Sequence, residues 1–400
     1  MSSPSENLRF ASALSVLADP ERAVAEACEQ AATELGVTPD LAVLFLSADA
    51  VGSAAKIAQI ACDRLGTECL IGCTGESLVG RGREVEGQTA ASLWLARLPG
   101  VALQPIKLTF QNTAEGPSIL GWPDSLLDGW PAEPCLLLLG EPFSFPADFL
   151  LEQTNRLHPD AMVIGGMASG ASAPGENRLL LGRRVYDDGA VAVMISGSVR
   201  IRSVVSQGCR PIGRHFVITK AEQNVIHQLG GKSAFGQLEA VFAELPTHEQ
   251  ELVNHGLHLG RVVSEYQDRF EQGDFLIRNV IGFDPENGAI AVGDYLRVGQ
   301  TVQFHVRDWH TADAELRQLL AAVRRQVPSS PAGALMFTCN GRGTRLFPEP
   351  HHDALAVRDA FGEIPLAGFF AAGELGPIGG QNFQHGFTAS IALFEPSSGE

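Results

Sequence analysis

The sequence predicts an α/β protein built from repeated strand-helix-strand-loop-strand units. Three observations lead to this prediction. Apolar runs of strand length are each followed by a segment with the apolar spacing of a helix, a glycine-rich apolar run follows the helical segment, and this order occurs three times in the 400 residues. With 45% hydrophobic and 19% charged residues, the chain has the composition of a packed globular protein and not of a disordered one.

Each copy contains the same four segments in the same order. The opening run is apolar throughout, as in a strand that is buried on both faces of a sheet, and an alternating apolar segment closes the copy. We expect the two strands that flank the helix to be parallel, with a right-handed crossover, and the closing strand to be antiparallel. The opening runs are residues 41–47, 135–140 and 334–339; the helices are 52–65, 146–157 and 351–361; the glycine-rich runs are 69–76, 162–170 and 365–374; and the closing segments are 87–95, 189–195 and 386–394.

A stretch of different composition, from about residue 198 to residue 330, separates the second copy from the third. Thr219 to Gly231 begins with a threonine suited to a helix start and ends in two glycines, which predicts a helix, and Gln237 to Leu245 predicts a second one. His258 is interpreted as a solvated helix residue. Apolar alternation predicts an antiparallel meander over residues 275–283, 289–292 and 301–306, and a further helix is predicted over residues 313–326.

Charge and cysteine content exclude several classes of protein. The formal net charge is −17, so a polyphosphate backbone is repelled and no nucleic-acid partner is expected. The start lacks the basic and apolar regions of a secretory signal, and no apolar stretch approaches the ~20 residues of a membrane helix, so we expect a soluble cytoplasmic protein.

The seven dispersed cysteines favour reduced thiols, and the uneven spacing of Cys62, Cys69 and Cys73 does not indicate a metal site.

Four segments resemble catalytic or cofactor-binding motifs but lack an essential residue. Gly230-Gly-Lys-Ser lacks the upstream glycine and strand of a phosphate-binding loop, and His248-Glu-Gln-Glu-Leu has leucine where a zinc protease has its second histidine. Residues 341–346 lack the last glycine of a dinucleotide fingerprint, and residues 166–170 place serine one position late for a hydrolase nucleophile. The sequence therefore predicts no cofactor and no metal, and it does not favour an enzyme.

The candidate site lies where two predicted parallel strands of the third copy end. Open α/β sheets bind ligands at this edge, and the glycines on both sides of Arg342 let the backbone approach a ligand whose carboxylate suits the guanidinium. Two other interpretations stay open: Arg342 pairs with Glu374 across the edge, and Cys339 is an inert buried thiol. The predicted ligand-binding residues are Cys339, Asn340, Gly341, Arg342, Gly343, Gly373, Glu374 and His385.

Several segments of the sequence resemble the FIST sensory domain. The C-terminal half of that domain is similar to Phe337-Thr-Cys-Asn-Gly-Arg-Gly, to Pro365-Leu-Ala-Gly-Phe-Phe-Ala-Ala-Gly-Glu and to the His385-Gly-Phe-Thr ending. Ile71-Gly-Cys-Thr-Gly-Glu and Gly165-Gly-Met-Ala-Ser-Gly resemble the FIST N domain. The resemblance covers nearly the whole chain and implies two FIST halves, an N-type domain over residues 1–205 and a C-type domain over residues 206–400.

The resemblance also implies a function. It points to a sensory protein that binds a small molecule, such as an amino acid or another small carboxylate, and that stands alone without an output domain. In eukaryotic relatives the domain follows an F-box and recruits proteins, so a protein-protein interaction scaffold is the alternative. A third hypothesis is an enzyme that uses Cys339, with Arg342 and His385 activating the thiol.

Overall fold

A computed structural model of the chain describes residues 8–396, without residues 115, 267–269, 271–272 and 328–329. The described residues form two compact units. The core unit combines the residues up to Val205 with those from Arg317 onward, and the inserted unit runs from Ser206 to Leu316.

The first repeat of the core unit has a strand and a helix ahead of the predicted segments. Helix α1 (Pro20–Leu35) begins after Asp19, whose side chain accepts a hydrogen bond from the backbone N–H of Arg22, and it ends at Gly36, which has a left-handed φ of 70°. The repeat contains β1 (Arg9–Ser15), α1, β2 (Leu41–Ser47), the 3-10 helix Ala48–Ser53, α2 (Ala54–Leu65), β3 (Leu70–Gly75), β4 (Ser77–Gly80), β5 (Arg83–Glu86) and β6 (Ala91–Arg97).

The second repeat follows the same plan, with a hairpin and a single helical turn in place of α1. It contains β7 (Val101–Thr113), β8 (Gly116–Leu120), α3 (Asp124–Leu127), β9 (Cys135–Gly140), α4 (Ala147–Leu157), β10 (Met162–Met167), β11 (Leu179–Leu181), β12 (Arg184–Tyr186) and β13 (Ala190–Gly197).

The third repeat opens with β14 (Val199–Ser206), and the inserted unit follows. The strands of the inserted unit are antiparallel. Because β15 pairs with both β21 and β16, six strands close into a barrel-like ring, in the order β15-β21-β18-β19-β20-β16. The elements are β15 (Cys209–Glu222), β16 (Val225–Leu229), β17 (Lys232–Ser233), α5 (Ala234–Glu244), α6 (Thr247–His255), β18 (Leu257–Val262), β19 (Phe275–Asp284), β20 (Ala289–Val292), β21 (Thr301–Arg307) and α7 (Trp309–Gln326), which ends in the core unit.

After α7 the chain completes the third repeat. The remaining elements are β22 (Gly333–Cys339), the 3-10 turn Gly343–Arg345, α8 (His352–Phe361), β23 (Leu366–Ala371), β24 (Glu374–Ile378), β25 (Gln381–His385) and β26 (Ala389–Pro396). In chain order the inserted unit therefore lies between β14 and the C-terminal part of α7, ahead of β22. Among the described residues, none of the helices is both long enough and apolar enough to span a bilayer.

The predicted α/β class and the threefold order of segments are confirmed. In each repeat the two strands flanking the helix are parallel, and the closing strand pairs with the first of them in antiparallel orientation. The three sheets have equivalent strand orders, β1-β6-β2-β3-β11-β12, β8-β7-β13-β9-β10-β24-β25 and β14-β26-β22-β23-β4-β5.

The three repeats are linked because each one places its hairpin in the sheet of another. The β4–β5 hairpin of the first repeat pairs with β23 of the third, the β24–β25 hairpin of the third pairs with β10 of the second, and the β11–β12 hairpin of the second pairs with β3 of the first. The exchange closes on itself, so every sheet of the core unit is built from two repeats. Each repeat therefore depends on its neighbours for its outer strands.

One glycine in each repeat is required by the close approach of two parallel strands. A Cβ atom at this glycine would overlap the carbonyl oxygen of its register partner, so no other residue fits without moving the backbone. The distances from the added Cβ to that oxygen are 2.1 Å for Gly72 and Leu44, 1.9 Å for Gly165 and Leu138, and 1.9 Å for Gly368 and Met336.

A shared apolar core collects side chains from all three repeats. The Phe45 ring of the first repeat lies 5.0 Å from the Phe369 ring and 6.2 Å from the Phe337 ring of the third. Trp94 and Phe394 make a second contact of this kind, with ring centroids 4.8 Å apart. Such aromatic pairs contribute about 0.5–1.5 kcal/mol each beyond the area that they bury. Separating the repeats would expose this core.

Two predictions for the inserted unit are wrong. Residues 219–231 form the end of β15 and all of β16 instead of a helix, because Gln223 adopts a φ of 54° and reverses the chain. His258 lies in β18, not in a helix, and it is buried opposite His305 of β21. Burial lowers the pKa of both imidazoles to about 4, so both are neutral at pH 7.

Other predictions for this unit agree with the structure. The helix predicted over residues 237–245 corresponds to α5, which begins three residues earlier and ends one residue earlier. The helix predicted over residues 313–326 forms most of α7. The three predicted meander strands are present as β19, β20 and β21. Only β19 and β20 are neighbours, however, because β21 pairs with β15 and β18.

We expect Gly72→Ala and Gly368→Ala each to lower the free energy of unfolding by about 3 kcal/mol or more, because the added methyl group overlaps backbone atoms and no rotamer relieves the overlap. Urea denaturation measures the effect. Gly52→Ala is the control, since no atom lies within 4 Å of a Cβ added there, and its effect should stay below about 1 kcal/mol. Equal stability of Gly72→Ala and Gly52→Ala would contradict this account.

Candidate functional site

The predicted site lies at the edge of the third sheet where β22 and β23 end. The two strands are parallel, so their C-terminal ends meet at this edge. Asn340, the first residue after β22, donates its backbone N–H to the carbonyl oxygen of Ala371 at 3.0 Å. Glu374, three residues after the end of β23, begins the exchanged β24–β25 hairpin. The structure thus brings the two predicted segments, 339–343 and 373–374, to one place.

Arg342 is fully buried and pairs with Asp353 of α8. Its Nε and Nη2 atoms donate to the two Asp353 carboxylate oxygens at 2.7 and 2.8 Å, and its Nη1 donates to the Phe387 carbonyl oxygen at 3.4 Å. The guanidinium also lies 5.1 Å from the centre of the Phe347 ring. The open interpretation that Arg342 pairs with Glu374 is therefore wrong, since the bidentate partner is Asp353.

Asp353 is the residue of this cluster that sequence reasoning missed. Its carboxylate also accepts hydrogen bonds from the Thr338 hydroxyl at 2.7 Å and, at 2.9 Å, from Nδ1 of His352. Burial alone would raise the pKa of Asp353, but the Arg342 guanidinium and the hydrogen bond from His352 hold the pKa well below its usual range. The only signal in the sequence is an acidic residue in the first turn of a helix, which is common on any helix.

A carboxylate from the first repeat reaches the same cluster. Glu84 lies on β5 of the exchanged hairpin, and its Oε1 accepts the backbone N–H of Ala354 at 3.0 Å, at the start of α8. Burial, together with the negative charge of Asp353, raises the pKa of Glu84 to about 8. The hairpin of the first repeat is thereby joined to the helix that holds Arg342.

Glu374 is fully buried beside Cys339. Its Oε2 accepts the backbone N–H of Thr388 at 3.0 Å, while no N–H or O–H group of the described residues donates to Oε1. Burial raises the pKa of Glu374 to about 8, although the Thr388 N–H, the Cys339 thiol and the Arg342 charge act in the opposite direction. The carboxyl is thus mostly protonated at pH 7.

Cys339 and Asn340 form the accessible part of the cluster. Both are half-buried, and the sulfur of Cys339 accepts the backbone N–H of Gly341 at 3.4 Å. The Oδ1 atom of Asn340 is buried and has no hydrogen-bond donor among the described residues. The exposed Arg345 side chain lies over this loop and donates to the Asn340 carbonyl oxygen at 2.8 Å.

The remaining predicted residues have conformational roles in this structure. Gly343 has a φ of 57°, and a Cβ there would lie 2.7 Å from the Phe370 ring. Gly373 has a φ of 155°, and a Cβ there would lie 2.6 Å from the Gln384 amide nitrogen. His385 is buried opposite Glu374 in the hairpin, with its Nε2 atom 2.9 Å from the Gly376 carbonyl oxygen. Ligand contact by these three residues stays a prediction.

The three repeats have equivalent backbones at this edge but different side chains. Ser47, Glu141 and Cys339 hold equivalent positions, since each donates its backbone N–H to the residue just before the closing strand, at 3.1, 2.8 and 2.9 Å respectively. The Ser47 hydroxyl donates to Ala90 O, and the Glu141 carboxylate accepts the Ser144 hydroxyl at 2.8 Å. Among the described residues, only the third repeat has at this edge two buried side-chain oxygens, Asn340 Oδ1 and Glu374 Oε1, that receive no N–H or O–H donor.

A cleft of about 610 Å³ lies in the inserted unit, but it has a different character. It is lined by Lys220, His227, Phe283, Asp284 and Asn287, among others, and by none of the predicted site residues. The Asp284 carboxylate already accepts hydrogen bonds from the backbone and the side chain of Asn287. In the part of the chain that the structure describes, no buried polar atom without a partner lines this cleft.

Three interlocked α/β repeats, an inserted antiparallel barrel and a buried polar cluster at one sheet edge define a two-unit α/β protein with a candidate small-molecule site. Residues 40–232 match the FIST N domain, and residues 237–377 match the FIST C domain. The chain belongs to the FIST family, as the resemblance in its sequence predicted. FIST domains are associated with sensory signal transduction and ligand binding. The division of the chain at residue 205 stays a prediction.

Two mycobacterial relatives are similar to the chain over nearly its whole length. The uncharacterized protein Rv0628c of Mycobacterium tuberculosis is 42% identical over 388 residues, which cover 97% of this chain and 100% of the relative. The uncharacterized protein Mb0898c of Mycobacterium bovis is 41% identical over 377 residues, which cover 94% of this chain and 96% of the relative.

We expect Asp353→Asn to lower the free energy of unfolding by about 3–5 kcal/mol, because it leaves the buried Arg342 charge without its counter-charge. Asp359→Asn is the matched control. Asp359 pairs with Arg317 at 3.1 Å on the surface, where both side chains are about half exposed, and its loss should change stability by less than about 1 kcal/mol. Chemical denaturation compares the two variants, and equal stabilities would show that Arg342 is not a structural residue.

Proposed function

We propose that this protein is a sensory protein that binds a small molecule at the edge of the third sheet, between Asn340 and Glu374. The observation that carries the proposal is the pair of buried oxygens, Asn340 Oδ1 and Glu374 Oε1, that receive no N–H or O–H donor from the described residues. Both residues follow the ends of parallel strands, the usual place for ligands in α/β sheets.

The energetics of burial support this assignment. A buried polar atom without a hydrogen-bond partner costs about 1–3 kcal/mol, so folded proteins rarely keep two of them at one edge without a purpose. The side chains equivalent to Cys339 in the other repeats, Ser47 and Glu141, make hydrogen bonds within their own repeats. A ligand that donates hydrogen bonds to Asn340 and Glu374 would remove this cost.

The protonation of Glu374 indicates the chemistry of the ligand. With a pKa of about 8 the carboxyl is mostly neutral at pH 7, so it offers a hydrogen-bond donor as well as an acceptor. An amino acid has both kinds of group, because its ammonium donates and its carboxylate accepts, and another small carboxylate matches when it also carries a hydroxyl or amine donor. Arg342 does not take part as an anion receptor in this proposal, because Asp353 and Phe387 occupy its guanidinium.

The exchanged hairpin offers a route from ligand to response. Glu374 is the first residue of β24, which pairs with β10 of the second repeat, whereas Asn340 follows β22 of the third repeat. A ligand that bridges the two residues would connect the sheets of two repeats. Binding would then favour one arrangement of the hairpin over others, which is the differential interaction that a sensory change requires.

A thermal-shift screen of amino acids and small carboxylates tests the proposal. A ligand at 100 times its dissociation constant adds about 2.7 kcal/mol of stability, which corresponds to a rise in melting temperature on the order of 4–5 °C for a unit of this size. Asn340→Ala and Glu374→Ala should each reduce the rise by at least half. The control Glu363→Ala removes an exposed carboxylate of the same unit and should keep the full rise.

Two results would contradict the proposal. One is a screen in which no compound raises the melting temperature of the wild-type protein at millimolar concentration. The other is a rise that Asn340→Ala and Glu374→Ala leave unchanged, which would place the ligand elsewhere in the chain.

A further inference from the structure

We propose that Arg345 receives the carboxylate of the ligand, and that Glu76 of the first repeat competes with the ligand for Arg345. This inference rests on the proposed function and names the residue that selects a carboxylate at the same site. The sequence predicts Arg342 for this role, but its guanidinium is fully buried and is held by Asp353. The site therefore needs another cation if its ligand carries a negative charge.

Arg345 lies directly beside the amide of Asn340. Its Nη1 atom donates to the Asn340 carbonyl oxygen at 2.8 Å and to Oε2 of Glu76 at 3.2 Å. Because both oxygens bond to one nitrogen, they lie within about 6 Å of each other, a span that a single small molecule covers. A ligand carboxylate in the place of the Glu76 carboxylate would thus be close to the buried Asn340 Oδ1, which receives no N–H or O–H donor from the described residues.

The Arg345 guanidinium already holds a carboxylate in the geometry that a ligand requires. Its Nη1 and Nη2 atoms each donate to one carboxylate oxygen of Glu76. This is the bidentate arrangement in which arginine binds carboxylates with defined orientation. The Glu76 carboxylate therefore marks the position that a ligand carboxylate would take.

The pair of Arg345 and Glu76 can exchange partners because it is accessible. The two side chains are 58 and 39% exposed, and exposed ion pairs contribute little to stability, since water and salt screen their charges. The buried pair of Arg342 and Asp353 differs, with side chains 0 and 1% exposed. A ligand that separated this second pair would leave a buried charge without its partner.

The other acidic groups near Arg345 are engaged or uncharged. Glu86 lies close enough to act on the Arg345 charge, but its carboxylate accepts the Thr344 backbone N–H at 3.1 Å and the Thr344 hydroxyl at 2.7 Å. Burial raises the pKa of Glu374 to about 8, so this carboxyl is mostly neutral at pH 7 and does not repel an anion. Glu76 is thus the carboxylate that a ligand has to displace.

Displacement of Glu76 would carry the response to the first repeat. Glu76 lies between β3 and β4, and its backbone N–H donates to the hydroxyl of Ser169 in the second repeat at 3.0 Å. That hydroxyl donates in turn to the carbonyl oxygen of Phe370 in β23 of the third repeat. All three repeats meet at this position, and an occupied site would lose the contact of Glu76 with Arg345.

The test is isothermal titration calorimetry of the full-length protein with the standard L-amino acids and L-lactate, each beside its carboxamide, which keeps the donor but loses the negative charge. We expect the acid that binds to do so at least tenfold more tightly than its carboxamide, and Arg345→Gln to abolish this difference. Glu76→Gln should tighten binding of the acid about two- to sixfold, because an exposed pair forms with an equilibrium constant of about 1–5 and lowers the free fraction of Arg345 accordingly.

Arg183 and Glu68 provide the matched control pair. They also form an exposed pair between two repeats, at 2.9 Å, but Glu68 precedes β3 whereas Glu76 follows it, so the control pair lies at the other end of the strand. Arg183→Gln and Glu68→Gln should keep the wild-type affinity. Melting curves without ligand show that each variant is folded, and damage to the fold would not tighten binding in Glu76→Gln.

Equal affinities of the acid and its carboxamide would overturn the proposal, as would an unchanged affinity in Arg345→Gln or an unchanged or weaker affinity in Glu76→Gln. If one of these results occurs while Asn340→Ala still weakens binding, the proposed function stands and only the role of Arg345 fails. If no probe binds the wild-type protein or Glu76→Gln, both proposals fail.

Discussion

The close approach of parallel backbones at Gly72, Gly165 and Gly368 is the constraint on which the core unit depends. At each position a side chain would lie about 2 Å from a carbonyl oxygen of the neighbouring strand. These contacts fix the pairs β2–β3, β9–β10 and β22–β23 in equivalent registers. Because the pairs are equivalent, the three hairpins leave their sheets at equivalent points, and their exchange closes into a ring.

Because the backbones of the three repeats are equivalent, the repeats differ at this sheet edge only through their side chains. In the first and second repeats the side chains at the end of the opening strand, Ser47 and Glu141, make hydrogen bonds within their own repeats. In the third repeat Arg342 and Asp353 form a buried ion pair, and Glu374, Asn340 and Cys339 belong to the same cluster. The same fold thus provides two structural edges and one edge that is suited to a ligand.

The sequence is a good guide to the repeats but not to their assembly. The opening strands β2, β9 and β22 are predicted almost to the residue, because a strand buried on both faces is apolar without interruption. The hairpin exchange leaves no local pattern, since β4 and β23 are remote in sequence. The partner of Arg342 was missed for a similar reason: Asp353 has the position of an ordinary acidic residue in a first helical turn.

The most direct test of the account is to locate the ligand on the whole chain. Hydrogen-deuterium exchange is measured with and without the compound that raises the melting temperature most. The account predicts that added protection is confined to residues 339–343 and 373–376 and to the strands beside them. Protection at the equivalent edges of the first and second repeats, or at the cleft around Lys220 and His227, would contradict it.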